Sequence, residues 1–345
     1  MDFSGFFHEV WSILSKPFNL FFDVSQRLSI LYLLTALLVA VAAFWLQRRS
    51  LRGLIEWLLP KEILMHPSAK ADYVMFFINK SVVVAIYATI LIQSQFWFDL
   101  VTDWMGPAEK AAESLPITVL TTILIAMTLD SALWFGHYLF HKIPFLWEFH
   151  KVHHSAEVMT PLTAARMHPF EEAIESMMGG FAVGVMAALL DQAFGQGAVM
   201  INLLGTNIIL AIFFLAAFNL RHSHVWVRYP VWLQRIFVCP AQHQVHHSKA
   251  RQHWDKNMGF IFGLWDWAAG TLYAPKGYEK LEYGLGNGED GTWNTARALY
   301  FRPFRNAYRL FASGWRNAFF QPSESDKPEA DLKPEDPRGE PSQAL

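Results

Sequence analysis

Histidines at helical spacing dominate the middle of the chain and constrain its fold more than any other feature. An HxxxH motif at His137–His141 is followed by an HxxHH motif at His150–His154. A later segment carries an RHSH motif at Arg221–His224 and a second HxxHH motif at His243–His247. Histidine motifs that repeat in this way predict that the two segments meet in the folded protein.

The spacing of these histidines indicates a metal site. Residues i, i+3 and i+4 share one face of a helix, and neutral imidazole is the commonest metal ligand in proteins. The first segment alone supplies five nitrogen donors, which is too many for one tetrahedral zinc and suits two metals of higher coordination. His222 and His224 compete for one or two ligand places. The candidate ligands are His137, His141, His150, His153, His154, His222, His224, His243, His246 and His247.

Composition predicts that part of the protein's surroundings is lipid. Hydrophobic residues make up 53% of the chain, aromatic residues 15% and charged residues 17%, and the mean hydropathy is +0.19. The net charge of −2 argues against a nucleic-acid partner. The single cysteine, Cys239, excludes an internal disulfide and an all-thiolate metal site.

Five apolar runs are long enough to be considered as membrane-spanning segments. They cover residues 28–47, 81–98, 115–139, 176–190 and 198–218. We therefore expect an all-α integral membrane protein with about four to five transmembrane helices in hairpins and a cytosolic, histidine-rich helical cap. Residues 1–27 are aromatic and lack a basic start before an apolar core, so they favour an interfacial segment over a signal peptide.

The distribution of charge predicts the orientation of these helices. Lys and Arg follow the first run, which places that loop in the cytoplasm, whereas acidic residues follow the second run. Counting onward through the spans brings every histidine motif and the C-terminus to the cytoplasmic side. Residues 321–345 hold five prolines, many charges and no aromatic residue, which is typical of a disordered tail.

The ordered motifs resemble those of the fatty acid hydroxylase/sterol desaturase superfamily of membrane di-iron oxygenases. Three further stretches fit its pattern: ARMHPFE at 165–171, KNMGF at 256–260 and WDWAAGT at 265–271. This chain departs from the superfamily at two positions. It has His224 where many members have Asn, and Leu133 where the alkylglycerol-cleaving members have Glu.

The resemblance covers roughly residues 115–275 and implies a catalytic domain there, preceded by a first transmembrane hairpin with its loops at 28–114 and followed by a cap segment at 276–320. It implies O₂-dependent hydroxylation or desaturation of a lipid C–H bond at two iron ions, which zinc can replace on isolation. The chain has no dinucleotide fingerprint, haem-domain signature or cysteine set for an iron–sulfur cluster. Electrons must then come from a separate protein, such as a cytochrome b5-like carrier or a ferredoxin with its reductase.

Five further residues are candidates for supporting roles at the site. His168 matches the superfamily motif and is a possible additional ligand, although an isolated histidine is more often a hydrogen-bonded core residue. The acidic candidates could accept hydrogen bonds from imidazole N–H groups, or form structural hydrogen bonds and surface salt bridges instead. These acidic residues are Asp130, Glu171, Asp255 and Asp266.

Other functions remain compatible with the sequence. The histidines could form a structural zinc cluster, or ligate b-type haem in a membrane electron carrier, although motifs clustered at the membrane edge suit haem poorly. A zinc-dependent membrane hydrolase is a further alternative, but neither HYLFH nor HQVHH contains the acid of an HExxH motif. The sequence leaves open whether a sterol, fatty acyl chain, sphingoid lipid or carotenoid is the substrate.

Overall fold

A computed structural model describes most of the chain as helix. It describes residues 11, 13–83, 93–195, 199–216, 218–286, 288–315 and 319. The α-helices are α1 Ile30–Arg48, α2 Leu54–Leu58, α3 Lys61–Leu64, α4 Pro67–Ile78, α5 Ser94–Met105, α6 Leu115–Lys142, α7 Pro144–His154, α8 Pro169–Phe194, α9 Ile208–Leu215, α10 Val231–Gln234, α11 Pro240–His246, α12 Leu264–Ala269 and α13 Ala296–Ala312. A π-helix covers Asn79–Val83, and 3₁₀ turns cover Pro161–Ala165, Phe218–Leu220 and Arg251–His253. Strands β1 Asn202–Leu203 and β2 Thr206–Asn207 form an antiparallel hairpin.

Three helices are long and apolar enough to cross a membrane, namely α1, α6 and α8. They correspond to the first, third and fourth apolar runs of the sequence. Most of the second run, residues 84–92, lies outside the described residues, as do residues 1–10 and 12 of the expected interfacial segment and the whole of 321–345. The described chain therefore has the helical architecture of a membrane protein, with fewer continuous spans than expected.

The expectation of a single spanning helix over 198–218 is wrong. The described part of this run forms the β1–β2 hairpin and then the eight-residue helix α9, which is only about 12 Å long. Leu204 and Gly205 adopt positive φ angles of 55° and 76°, which make the turn between the strands. Asn207 then caps α9 by accepting a hydrogen bond from the Ile209 amide at 3.0 Å. The polar and glycine residues early in this apolar run thus keep the helix from beginning before Ile208, which leaves α9 too short to span.

The hairpin is held against α6 by one side chain and its backbone. The Ile201 amide donates to Thr122 Oγ1 at 2.8 Å, and Asn207 Nδ2 donates to the Thr122 carbonyl at 2.9 Å. These two bonds attach both strands' ends to α6, and the first gives the Ile201 amide a partner. The chain therefore returns from the end of α8 to the second histidine segment through a short hairpin and a half-length helix.

A proline separates the two helices that carry the first histidine motifs. Helix α6 ends at Lys142, and Pro144 occupies the first turn of α7, where its missing N–H costs nothing. Ile143 between them is extended, with φ −99° and ψ 114°, as steric contact with the proline ring requires. The sharp bend brings the HxxHH face of α7 against the HxxxH end of α6.

The remaining helices pack around this pair. Helix α5 approaches α8 so closely that a Cβ atom at Gly184 would overlap the Ser94 carbonyl. Helices α4, α7 and α13 share a buried cluster with Trp293. The cluster contains Ala71, Met75, Val152, Trp293 and Leu299. This packing sets the rotation of α7, and hence the directions in which its histidines point.

Candidate metal centre

The structure brings nine of the predicted histidines into two compact groups. The first, which we call the five-histidine group, takes residues from α6, α7 and α11; the second, the four-histidine group, takes its residues from α7, the segment after α9 and the C-terminal end of α11. Within each group the candidate ligand atoms all lie within 4.8 Å of one another. The five-histidine group is His137, His141, His150, His154 and His246; the four-histidine group is His153, His222, His243 and His247.

In the five-histidine group, backbone carbonyls contact the Nδ1 atoms of two rings on the side away from the centre of the group. His137 Nδ1 lies 2.9 Å from the Met258 carbonyl, and His246 Nδ1 lies 2.7 Å from the Lys256 carbonyl. An acceptor at Nδ1 places the hydrogen there and leaves Nε2 with a free lone pair. The Nε2 atoms of His141, His154 and His246 are buried without a hydrogen-bond partner among the described residues.

Two carboxylates orient further histidines of this group. Glu171 Oε1 lies 2.5 Å from His150 Nδ1, and Asp255 Oδ1 lies 3.3 Å from His141 Nδ1. Asp255 also accepts a hydrogen bond from Lys142 Nζ at 2.7 Å. Such outer partners fix the ring and raise the basicity of the nitrogen that faces a metal.

The four-histidine group converges through Nε2 as well. His222 Nε2 lies 3.3 Å from His153 Nε2, 3.2 Å from His247 Nε2 and 2.9 Å from His243 Nε2. His153 Nδ1 lies 3.2 Å from the Arg166 carbonyl, which orients that ring. Imidazole nitrogens in contact at this distance must share hydrogens or a cation, because lone pairs facing each other repel.

His243 differs from the others because a cation contacts its outer nitrogen. Arg221 Nη2 donates to His243 Nδ1 at 2.7 Å, and burial lowers the pKa of Arg221 to about 9. With Arg221 donating, a neutral His243 carries its hydrogen on Nε2. His243 could then bind a metal through Nε2 only if that hydrogen leaves or the bond to Arg221 is lost.

Burial keeps the imidazoles outside the candidate spans neutral. Removal from water lowers the pKa of His150, His154, His222, His246 and the remaining histidines of α11 and its C-terminal end far below the ordinary value. For His153 the same cause lowers the pKa to about 3. Neutral imidazole is the form that ligates a metal.

These groups fit two metal ions by the chemistry of their donors. A buried polar atom without a partner costs roughly 1–3 kcal/mol, so the unpartnered Nε2 atoms of the five-histidine group call for a partner of positive charge. In the four-histidine group the Nε2 atoms that face one another call for a shared cation for the reason given above. An all-nitrogen donor set suits iron, zinc, copper and nickel. Iron at these two groups is therefore compatible with the residues present.

Two predicted histidines lie outside both groups. His224 Nε2 lies 2.7 Å from the Trp57 carbonyl, and its ring packs edge-on against the Trp57 ring. His168 caps α8 by accepting from the Phe170 amide at 3.1 Å, while its Nε2 lies 3.1 Å from the Tyr300 carbonyl. The structure thus favours His222 over His224 as a ligand and gives His168 a structural position.

Asp130 and Asp266 support the backbone next to the site and do not contact its histidines. Asp130 accepts hydrogen bonds from the Ile261 amide at 2.6 Å, the Phe262 amide at 3.0 Å and Trp265 Nε1 at 2.8 Å. Asp266 accepts from the amides of 258 and 259 at 3.0 and 2.7 Å. They hold in place the segment whose Met258 carbonyl orients His137.

One buried ion pair supports the site and was not predicted from the sequence. Arg166 Nη1 lies 2.8 Å from Asp72 Oδ1, with both side chains 0% exposed. Arg166 also donates to the Val152 carbonyl and to Ser155 Oγ, each at 2.8 Å. Arg166 lies in the ARMHPFE stretch quoted above, but no local pattern marks Asp72 as its partner.

A cavity of about 570 Å³ opens onto both groups. Histidines from each group line it, together with apolar side chains and a set of charged ones. The histidines are His137, His150, His153, His222 and His243; the larger apolar residues are Leu129, Leu133, Met167, Phe214, Phe218, Met258 and Phe260; the charged residues are Arg27, Lys80, Glu171, Glu172, Glu175 and Arg221. A cavity of this size accommodates part of a lipid-sized ligand.

Comparison with known proteins adds an independent line of evidence. Residues 122–271 match the family described as fatty acid hydroxylase. The chain is 26% identical to an alkylglycerol monooxygenase of Caenorhabditis elegans over 176 residues, which cover 50% of this chain and 30% of that protein. It is 27% identical to the ornithine lipid hydroxylase OlsE of Rhizobium tropici over 158 residues, 45% of this chain and 43% of that protein.

A human alkylglycerol monooxygenase is 27% identical over 160 residues, 44% of this chain and 31% of that protein. The matched part of the chain therefore spans less than half the length of each of these relatives. No solved structure gives a significant match to the chain.

Proposed function

We propose that the protein is a membrane di-iron oxygenase of the fatty acid hydroxylase superfamily that hydroxylates a C–H bond of a lipid. The match of residues 122–271 to the fatty acid hydroxylase family and the similarity to lipid hydroxylases and monooxygenases support this proposal. The observation that carries the proposal is the pair of convergent histidine groups opening onto one cavity with apolar walls. The proposed ligands are the nine histidines of the two groups. His243 can bind a metal through Nε2 only if its Nε2 hydrogen leaves or its bond to Arg221 is lost.

The overall reaction consumes two electrons from an external donor. A lipid C–H bond, O₂, two electrons and two protons give a C–OH group and one water molecule. Iron bound at the two groups would supply the O₂ activation that no side chain performs unaided. The electrons would come from a separate carrier protein, either cytochrome b5-like or a ferredoxin with its reductase.

The residues of the chain would hold and orient the reacting groups. Imidazole Nε2 atoms would bind the metals, while Glu171, Asp255 and the backbone carbonyls at 256 and 258 keep the rings in the ligating orientation. Phe214, Phe218 and Phe260 would exclude water and pack against the hydrocarbon part of the lipid.

Hydroxylation is favoured over desaturation, and an oxygenase is favoured over a haem-binding electron carrier. The matched relatives are named as hydroxylases and monooxygenases. Nine convergent imidazoles exceed the one or two axial ligands that a haem iron takes from a protein. The relatives' names include alkylglycerol and ornithine lipid, so we propose a polar membrane lipid as the substrate class.

Isotope incorporation tests this proposal. The purified protein would be loaded with Fe(II) in lipid nanodiscs, supplied with an electron-transfer system and exposed to ¹⁸O₂, and the lipids would be analysed by mass spectrometry. We expect a lipid product with one ¹⁸O atom from the native protein and none from His246→Ala. Absence of ¹⁸O from every lipid despite bound iron would refute the proposal.

A further inference from the structure

Part of the cavity wall carries charges that the histidine groups do not use. Arg27 comes from the turn before α1, Lys80 from the π-helix after α4, and Glu172 and Glu175 from the first turns of α8. Lys80 Nζ and Glu172 Oε1 lie 2.7 Å apart and neutralise each other. The charges of these two residues therefore balance without a ligand.

The other two charges are left with unfilled hydrogen-bonding capacity. Among the described residues, Glu175 forms no hydrogen bond or ion pair, although the charge of Arg27 acts on it. Within the described part of the chain, the Arg27 side chain donates one hydrogen bond, from Nη2 to the Ala164 carbonyl at 2.9 Å. A guanidinium has five N–H donors, so Arg27 retains donors that can face the cavity.

A second carboxylate oxygen in the same cavity also lacks a partner. Glu171 is 0% exposed, and while its Oε1 contacts His150, its Oε2 is buried without a hydrogen bond. The cavity therefore offers carboxylate acceptors from Glu171 and Glu175 and a cationic donor from Arg27.

These charges select against a ligand that is only hydrocarbon. An acyl chain in the cavity would remove water from Glu175 and Arg27 without replacing its hydrogen bonds, and an uncompensated charge in an apolar environment is costly. A ligand with an ammonium and an anionic group would supply both partners. A primary ammonium has three donors, whereas a quaternary ammonium has none for the carboxylates.

We propose that the cavity binds a lipid with a zwitterionic headgroup, its primary ammonium on Glu175 and its anionic group on Arg27. The hydrocarbon part lies against Leu129, Leu133 and Phe214. This inference rests on the proposed function for the presence of a lipid, and it specifies the headgroup that the site recognises.

Binding measurements with three lipids of identical acyl chains test the proposal. Phosphatidylethanolamine carries both charges, phosphatidylglycerol carries only the anion, and diacylglycerol carries neither. Affinities for the full-length protein in detergent would be measured by the quenching of its tryptophan fluorescence. We expect phosphatidylethanolamine to bind about tenfold more tightly than phosphatidylglycerol, which is the effect of one charge-assisted hydrogen bond, and diacylglycerol to bind most weakly.

A charge-removing variant assigns the ammonium contact. Glu175→Gln keeps the shape of the side chain and should reduce phosphatidylethanolamine binding to the level of phosphatidylglycerol, without changing the affinity for the other two lipids. The matched control is Glu62→Gln on α3, because Glu62 is exposed and does not line the cavity. Bound metal and thermal stability would confirm that the variants are folded.

Two results would overturn the proposal: native protein that binds diacylglycerol as tightly as phosphatidylethanolamine, or folded Glu175→Gln that keeps the native preference. If Glu175→Gln does not fold, the order of the three lipids for native protein still decides. The binding assay needs neither iron nor electrons. A failure to incorporate ¹⁸O would thus refute the proposed function without changing the order in which the three lipids bind. A different order of lipid binding would refute the headgroup proposal without changing ¹⁸O incorporation.

Discussion

The Asp72–Arg166 ion pair should control the stability of the four-histidine group from outside it. Arg166 connects α4 to the C-terminal end of α7 through Asp72, Val152 and Ser155. Its carbonyl also orients His153 Nδ1 at 3.2 Å. Replacing Asp72 by Ala would leave the Arg166 charge buried with no anionic partner.

The expected loss is large because both side chains are fully buried. Removing one member of a buried ion pair costs about 3–5 kcal/mol, since the remaining charge is not compensated. Asp72→Asn should cost less, because its amide oxygen still accepts a hydrogen bond from Arg166. As Arg166 shifts, the His153 ring should lose its fixed orientation, and the four-histidine group should release its metal before the five-histidine group does.

The assay combines denaturant unfolding in detergent with metal analysis of the purified variants. Glu282→Gln is the matched control, because the Lys249–Glu282 pair at 3.1 Å has a glutamate that is 69% exposed. An exposed pair of this kind contributes at most about 1 kcal/mol. Asp72→Ala protein with native metal content and an unfolding free energy equal to that of the control would refute this reasoning.

Other predictions concern the ligands, acid stability and topology. His246→Ala should lose metal from the five-histidine group while His224→Ala retains the native content by mass spectrometry of bound metal, because His224 bonds instead to a backbone carbonyl; equal losses would contradict the assignment. Burial lowers the pKa of His168 to about 4, so the unfolded chain binds the proton more readily. This histidine then contributes about 3 kcal/mol to the free energy of unfolding above pH 6.5, and this contribution is lost as the pH falls toward 4. The free energy of unfolding of His168→Gln should therefore depend less on pH than that of the native protein. An unchanged pH dependence would exclude this role. In labelling experiments, cysteines placed at Lys249 and Met105 should react from opposite sides of the membrane, with Lys249 on the cytoplasmic side. Native Cys239 is buried and should not react. Reaction of both introduced cysteines from the same side would refute the predicted topology.

Helical spacing predicts which histidines of a motif share one face of a helix, and the HxxxH motif follows this rule in the structure. His137 and His141 lie in the same group, as the HxxxH spacing requires. The HxxHH motifs behave differently, because each contributes to both groups. His150 and His154 enter one group and His153 the other.

The second HxxHH motif is divided in the same manner. His243 and His247 are four residues apart and lie in one group, whereas His246 joins the five-histidine group. Side chains three and four residues apart share a broad face but point to either side of it. The packing of each helix determines where that face is divided between the two histidine groups.

Local backbone conformation also explains why the spanning helix predicted over 198–218 is wrong. The run over 198–218 is apolar enough to suggest a span, yet the turn at Leu204 and Gly205 and the cap at Asn207 divide it. Hydropathy averaged over a window hides these residues. Their positions were readable in the sequence but were outweighed by the apolar residues around them.

Spacing and hydropathy act over a few residues, so the sequence alone predicts the helical character of the chain, its long apolar helices and the histidines able to ligate a metal. The division of these histidines between two groups, the position of His224 outside both and the pairing of Asp72 with Arg166 appear only in the folded structure. Asp72 and Arg166 lie 94 residues apart. Arg27 and Glu175 line the same cavity only because the turn before α1 packs near α8. Such contacts join distant parts of the chain, so they depend on how whole helices pack and not on any local pattern.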